Sequence, residues 1–505
     1  MSWMWRSRQK LLVGTIFLAG WLLGYSILFT GILWPAEAEE VRFHVSQILT
    51  DSSEILSTEE IRIILEPLEG RELGVSDLLG AVEAINALYA KKGYVTAQAL
   101  LPPQDVDAGT VYIQLVEGRL GRLTFEGNVT TTHQYLQDRI SLTPGDLVRL
   151  DKLEEDILYF NQTNDVALHG QLAPGEEFGT TDITVLVAEP PRVQARVFAD
   201  NAGRSESGRY RGGIALAYNS LFGFRDPVNL SLTKGKGSLA GSVSYDVPMN
   251  PKGFRTGFRF DGSSVKIVSG DFEDLEIESR SLGRTIYFTS PLRVEANRVV
   301  DGFLEYHWRT ARSIFSGVEL IKNQTGKVIA GWNIQRAANP AASSISHTIT
   351  VGHGDAAVDK NFVKYYGSLD WAMPDSRGTE AHVRAAVQVA PTRLLPPEEQ
   401  FAVGGMNSVR GFEEGQLTGD MGYMFSLEFV FPLAKALSGV FFFDHGAAFP
   451  YKGNDEPITQ DDFLISTGVG VNIRLGNSFS GRFQLALPLL PAEDPRIHGA
   501  VQLAF

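Results

Sequence analysis

The chain has 505 residues, with 45 Lys plus Arg against 59 Asp plus Glu and a net charge of −14. That balance lacks the basic footprint that a phosphate backbone demands and argues against a nucleic-acid partner. The absence of cysteine removes disulfides, Cys-ligated metals and thiol nucleophiles. At 44% hydrophobic and 21% charged residues, with 51 glycines, the chain is too polar for a bundle of membrane helices. It suits a large soluble β protein or a transmembrane β-barrel.

Arg6, Arg8 and Lys10 precede an uncharged, mostly apolar stretch over 11–34, and Ala36 and Ala38 supply small residues at a cleavage site. This predicts a secretory signal peptide over 1–38. The competing reading is an uncleaved anchor, because the stretch exceeds the roughly 7–15 residues of an ordinary signal core. Beyond it no apolar run is long enough for a membrane helix, so any further crossing must use strands.

Residues 39–118 read as strand, helix, helix, strand, strand. Ser57 and Glu60 form a capping box ahead of Ile61, Ile64 and Leu65. Leu78, Leu79, Val82, Ile85, Leu88 and Tyr89 mark a second amphipathic helix, closed by Gly93 after Lys91 and Lys92 at the negative end of its dipole. Segments 94–101 and 110–117 then pair as strands. Residues 119–190 repeat the order: a strand over 120–125, a short helix over 133–140, a helix through Leu150, Leu153, Ile157 and Phe160, and strands over 166–172 and 182–187. Two α+β modules with open sheet edges suit strand addition from an extended client.

From residue 191 helices give way to alternation. Val228, Leu230 and Leu232 alternate with Asn229, Ser231 and Thr233, and Phe258 and Phe260 with Arg259 and Asp261. An apolar face opposite a polar one is what lipid outside and water inside require, although a soluble sandwich produces the same alternation. The signal segment and the last strand favour the barrel. In that strand Ile497, Val501, Leu503 and Phe505 share one face, opposite His498, Gln502 and Ala504. At roughly 20 residues per strand plus connection, residues 191–505 give an antiparallel barrel of about 16 strands. Segments 391–407 and 452–462 read as long loops.

The segment from Phe401 to Phe412 contains Gly404, Gly405 and Gly411, which allow sharp turns, and Arg410, a permanent charge that needs a partner if enclosed. Period two places Phe442, Asp444 and Gly446 on one strand face, and His445 on the other. If that face lines the lumen, Asp444 can receive Arg410, Gly446 gives clearance and Phe442 packs beside the loop; spacing alone equally allows both charges to be solvated and apart. The nine histidines show no metal-ligand spacing, and no nucleophile signature occurs. No cofactor, metal site or catalytic residue is expected, and the chain does not read as an enzyme.

At these residues the chain resembles the two-partner secretion transporters of the TpsB type, outer-membrane exporters of haemolysins and filamentous haemagglutinins within the BamA-like superfamily. Val409-Arg410-Gly411-Phe412 matches that family's loop-six signature, and Phe442-x-Asp444-x-Gly446 its barrel-wall counterpart. Gly93-Tyr94-Val95 through Leu101-Pro102-Pro103-Gln104, then Val116-Glu117-Gly118, is similar to the first periplasmic POTRA module, and Asp200-Asn201-Ala202-Gly203 with Gly208-Arg209-Tyr210 to the opening barrel hairpin. The resemblance implies POTRA domains at 39–118 and 119–190, an outer-membrane barrel over 191–505, and loop six, around 391–422, folded into the lumen with its Arg on the wall Asp. It implies a secreted TpsA-type client, recognised by the POTRA domains in the periplasm and threaded unfolded without nucleotide or ion gradient. The surrounding partners are outer-membrane lipid and the barrel assembly machinery, which reads the terminal Phe505. A BamA-like insertase and a general diffusion porin are the alternatives. One departure concerns the N-terminal plug helix that family members commonly carry: the first strand begins only a few residues past the expected cleavage site, so either the chain lacks the plug or the long stretch over 11–34 does something unusual.

Overall fold

The computed structural model describes residues 41–355, 360–391, 394–450 and 457–505. The expected signal peptide at 1–38, with its 11–34 stretch, lies outside them, as does the first part of the 452–462 loop.

In the first unit Gln47–Thr50 runs parallel to Thr110–Val116, with Gln98–Leu100 antiparallel on its far side. Helices α1 (Thr58–Leu65) and α2 (Val75–Lys91) cover the sheet. The Ser57 hydroxyl accepts from the Glu60 N–H, and the Glu60 carboxylate accepts from the Ser57 N–H, closing the α1 capping box. Lys92 is the C-cap residue of α2, and its ammonium also donates to the Glu60 carboxylate at 2.7 Å and to the Ile55 carbonyl at 3.0 Å. The Lys92 contact, with the Ser57 groups, holds the Glu60 carboxyl down to about 2. Leu78, Val82, Ile85 and Tyr89 form the buried stripe of α2. Leu79, expected on that stripe, is 48% exposed, because one residue turns the helix by about 100°. The strand expected over 94–101 shortens to Gln98–Leu100, since the Ala97 N–H bonds to the Tyr94 carbonyl in a turn.

The second unit repeats the topology. Arg119–Glu126 runs parallel to Thr180–Ala188, Ala167–Pro174 lies antiparallel outside it, and α3 (His133–Gln137) and α4 (Leu150–Thr163) pack over the sheet. α3 ends before the expected residue 140, because Arg139 and Ile140 bond three residues back and tighten the chain. Leu136, Leu153, Phe160, Ile183 and Val185 fill this core.

Sixteen antiparallel strands then close into a barrel, from Val193–Asp200 to Arg496–Ala504. Closure pairs residues 500–504 with 196–200. Phe505 extends the seam, its N–H donating to the Ala195 carbonyl at 2.9 Å and its carbonyl accepting from the Ala195 N–H at 3.2 Å. The Phe505 ring stands outward, 73% exposed. The alternation is realised in space: Leu230, Leu232, Phe258 and Phe260 are exposed on the outer wall, while Ser231 bonds Ser242 on the inner one. Among the described residues no helix is long and apolar enough to cross a membrane.

The second unit is seated on the barrel turns at one end. Arg225, 2% exposed in the 219–227 turn, donates from Nε to Asp165 at 2.9 Å and from Nη1 to the Thr130 hydroxyl at 3.1 Å. Glu189 receives the Thr130 and Thr131 N–H groups, each at 2.8 Å. Burial raises its carboxyl, but these bonds outweigh that and leave it low. The Thr132 N–H reaches the Gly223 carbonyl at 2.9 Å, and the Tyr159 hydroxyl the Lys252 carbonyl at 2.9 Å. Arg225→Ala removes the centre of this joint, a loss on the order of 1–3 kcal/mol. Limited proteolysis is expected to show faster cleavage near Pro190 with the barrel's heat-resistant migration unchanged; an unchanged cleavage rate contradicts the joint's importance.

Candidate functional site

Between the strands Glu380–Val389 and Met421–Ala434 the chain leaves the wall and crosses the lumen. This loop is more structured than the sequence suggested: it carries a short hairpin, Phe401–Val403 against Leu417–Gly419. The turn beyond Phe401–Val403 passes through Gly404 at φ 110° and, past Arg410, Gly411 at φ 96°, backbone states that residues with a Cβ rarely adopt.

Arg410 is 0% exposed and is among the largest fully buried side chains. Its guanidinium grips Asp444 with two bonds, Nε to Oδ2 at 2.7 Å and Nη2 to Oδ1 at 2.8 Å, and its backbone N–H adds a third at 3.1 Å. Nη1 donates to Glu428 at 2.6 Å, and Nη2 to the Ser426 hydroxyl at 3.1 Å. That hydroxyl in turn donates to Asp444 at 2.7 Å. The Phe442 ring lies 3.5 Å from the guanidinium carbon, a cation–π contact in a desolvated setting. A buried cation is stable only when paired in this way, and removing one partner costs about 3–5 kcal/mol.

The other motif residues complete the seat. Val409 and Phe412, 0% and 1% exposed, pack with Phe401, Val403 and Leu464. The Gly411 N–H donates to His498 Nε2 at 3.2 Å. A Cβ at Gly446 would lie 2.6 Å from Val403 Cγ1 and 2.9 Å from Val409 Cγ2, so the loop uses the room that glycine leaves. His445 faces away from the lumen, ring to ring with Tyr423 and Phe463. Among the described residues no group of three or more His, Asp or Glu is placed to hold a metal.

Four contributors have no role assigned by sequence reasoning. Ser426 and Glu428 lie opposite Asp444 and Phe442 on the neighbouring strand; their shared parity was the available signal. Alternation places His498 on the inward face of the last strand but assigns it no role. Glu399 gave no signal, because its partners depend on the loop's path. It is 2% exposed and accepts from Lys327 and, at 3.0 Å, from Lys364. Its carbonyl accepts from Gln388 Nε2 at 2.9 Å. Farther along, Glu413 accepts from Arg496 and, at 2.7 Å, from the Ser205 N–H. The loop thus spans from the wall around Lys327 and Lys364 to the last strand and the connection that follows the first.

A closed barrel with an apolar outer wall, a lumenal loop held by a buried ion pair and two α/β units at one mouth defines an outer-membrane transport pore. The chain belongs to the family described as haemolysin secretion/activation protein ShlB/FhaC/HecB, whose model matches residues 179–473. A POTRA domain model of the ShlB type matches residues 43–118. The heme/hemopexin transporter protein HuxB of Haemophilus influenzae strain 86-028NP is 23% identical over 484 residues, covering 89% of this chain and 84% of the relative. The outer membrane transporter CdiB of Escherichia coli O6:K15:H31 is 23% identical over 489 residues, covering 89% and 79%. In fold the chain is similar to CdiB from Escherichia coli, with a TM-score of 0.66 at 19% identity over 94% of this chain and 93% of that one. It is also similar to BamA from Haemophilus ducreyi lacking POTRA domains 1–3, with a TM-score of 0.57 at 15% identity over 92% and 100%. The protein is therefore an outer-membrane transporter of two-partner secretion, an export pore for a secreted partner, with its POTRA unit in the periplasm.

Gly446→Val is expected to push residues 403–409 off the wall and raise single-channel conductance of the reconstituted barrel. Unchanged conductance would show that the loop does not depend on this clearance.

Proposed function

We propose that the pore exports its client unfolded and that loop six is the element on which export depends. Residues 409–412 form the moving part of the site, and Phe442, Asp444 and Gly446 the wall that receives it. The complete burial of Arg410 against Asp444 and Glu428 carries this reading. A charge held in a dry seat fixes one loop position, and a client segment can displace it only by offering the loop another set of contacts.

In the same reading the second α/β unit, at 119–190, is a second POTRA domain, and both units capture the extended client at open sheet edges. Residues 1–38 direct the chain across the inner membrane and are removed, and the outward Phe505 marks the barrel for its assembly machinery. No chemistry is performed on the client and no cofactor is required. Folding of emerged segments outside makes the step one-way, because a folded segment no longer fits the lumen.

Arg410→Ala is expected to insert at wild-type levels while release of the partner into the medium falls below about a tenth. Arg410→Lys is not expected to rescue it, because an ammonium cannot make the bidentate contact. Secretion at the wild-type level by Arg410→Ala would remove the loop from the mechanism.

A further inference from the structure

Although the chain carries a net charge of −14, one sector of its outer wall is rich in cations. The second unit contacts the turns at 219–227 and 249–254, so the far ends of the adjoining strands point out of the cell. There Lys234 pairs with Leu239, Leu239 with Ser264, Ser264 with Arg280, Arg280 with Arg312 and Arg312 with Lys322. Residues directly opposite across strands share a face. Leu239 is 42% exposed on that face, so the row stands on the outer wall.

Its height follows from the apolar belt beneath it. On the strand Glu278–Glu295 the exposed Leu292 and Leu282 bracket about 11 residues, the length a tilted strand needs to cross hydrocarbon. Arg280 is the next outward position. On the neighbouring strand Arg298–Phe315, exposed Leu304, Tyr306 and Trp308 lead up to Arg312. Arg284, inside the upper belt, has its guanidinium carbon 5.7 Å from the Trp308 ring centre and a stem long enough to reach the boundary. Part of the charge is met within the protein, Arg280 by Glu278 at 2.6 Å and Arg312 by Glu319 at 3.3 Å. Among the described residues no carboxylate lies within ion-pair distance of Lys234, Arg284 or Lys322.

At that height outward side chains meet lipid headgroups. Arginine and lysine in a row, only partly compensated within the protein, complement phosphate, which accepts several charge-assisted hydrogen bonds at once. We propose that this rim is a binding site for the phosphate groups of the glycolipid in the outer leaflet, a phosphorylated amphiphile of the lipid A type. The proposal rests on the outer-membrane location and on strand parity, independently of the role of loop six.

The test uses the purified mature protein in mild detergent, diphosphorylated lipid A as the probe, and native mass spectrometry of retained lipid. Wild type is expected to hold lipid A through delipidation. The exposed triple variant Arg280→Gln, Arg312→Gln, Lys322→Gln is expected to hold about tenfold less, with the barrel's heat-resistant migration confirming its fold. Glu278→Gln, which frees Arg280 from its carboxylate, is expected to hold more than wild type. Retention of dephosphorylated lipid A, or of phosphatidylglycerol, equal to that of lipid A would overturn the assignment. So would a triple variant that retains lipid A as wild type does.

Discussion

A guanidinium deprived of water must be surrounded by acceptors, and in this barrel one seat provides them. Arg410 places its side-chain nitrogens on Asp444, Glu428 and Ser426 and its face on Phe442. Everything else about the loop is arranged around that placement. Glycines turn the chain where it doubles back, Gly446 yields the space taken by Val403 and Val409, and His498 accepts the next N–H. Nearer the loop's origin the polarity is reversed, with the carboxylate of Glu399 between Lys327 and Lys364. A loop that presents a cation to an acidic wall and an anion to a basic wall has one register in the lumen, because sliding it would bury like charges together.

The barrel that encloses this seat is specified by a simpler rule. Successive residues face lipid and water in turn, so a strand of alternating Leu and Ser has one orientation in a membrane. The same parity that sends Phe441 and Phe443 outward, at 46% and 38% exposure, sends Phe442 and Asp444 inward at 0%. Fold and site are thus two consequences of one alternation. Closure requires the last strand to find the first, and the pairing of Phe505 with Ala195 completes it at the final residue.

That dependence explains which features could be read from sequence. The strand alternation, the repeated α/β unit and the facing of Phe442, Asp444 and Gly446 are local periodicities and were legible. Element ends were less so: Leu79 and the short α3 show how a single residue of helical phase, or a tightened turn, escapes a periodic reading. The meeting of Arg410 and Asp444 was open from spacing alone. It depends on where the loop between Glu380–Val389 and Met421–Ala434 travels inside a closed wall, which no local pattern encodes. Glu399 was illegible for the same reason, since Lys327 and Lys364 stand on strands that become its neighbours only once the loop has folded inward. Ser426 and Glu428 were within reach, because the strand register follows once the hairpin with Asp444 is drawn.

If Arg410 and Asp444 act as one unit in holding the loop inside the lumen, loss of either partner frees it to the same extent as loss of both. Because the chain has no cysteine, a single reporter at Met406, 2% exposed, can record loop detachment through its rate of labelling by a soluble maleimide. In the Met406→Cys background, Arg410→Met and Asp444→Leu are each predicted to accelerate labelling, and their combination to label no faster than either alone. Acceleration that multiplies in the double variant, or rapid labelling with both residues intact, would show that the pair does not hold the loop.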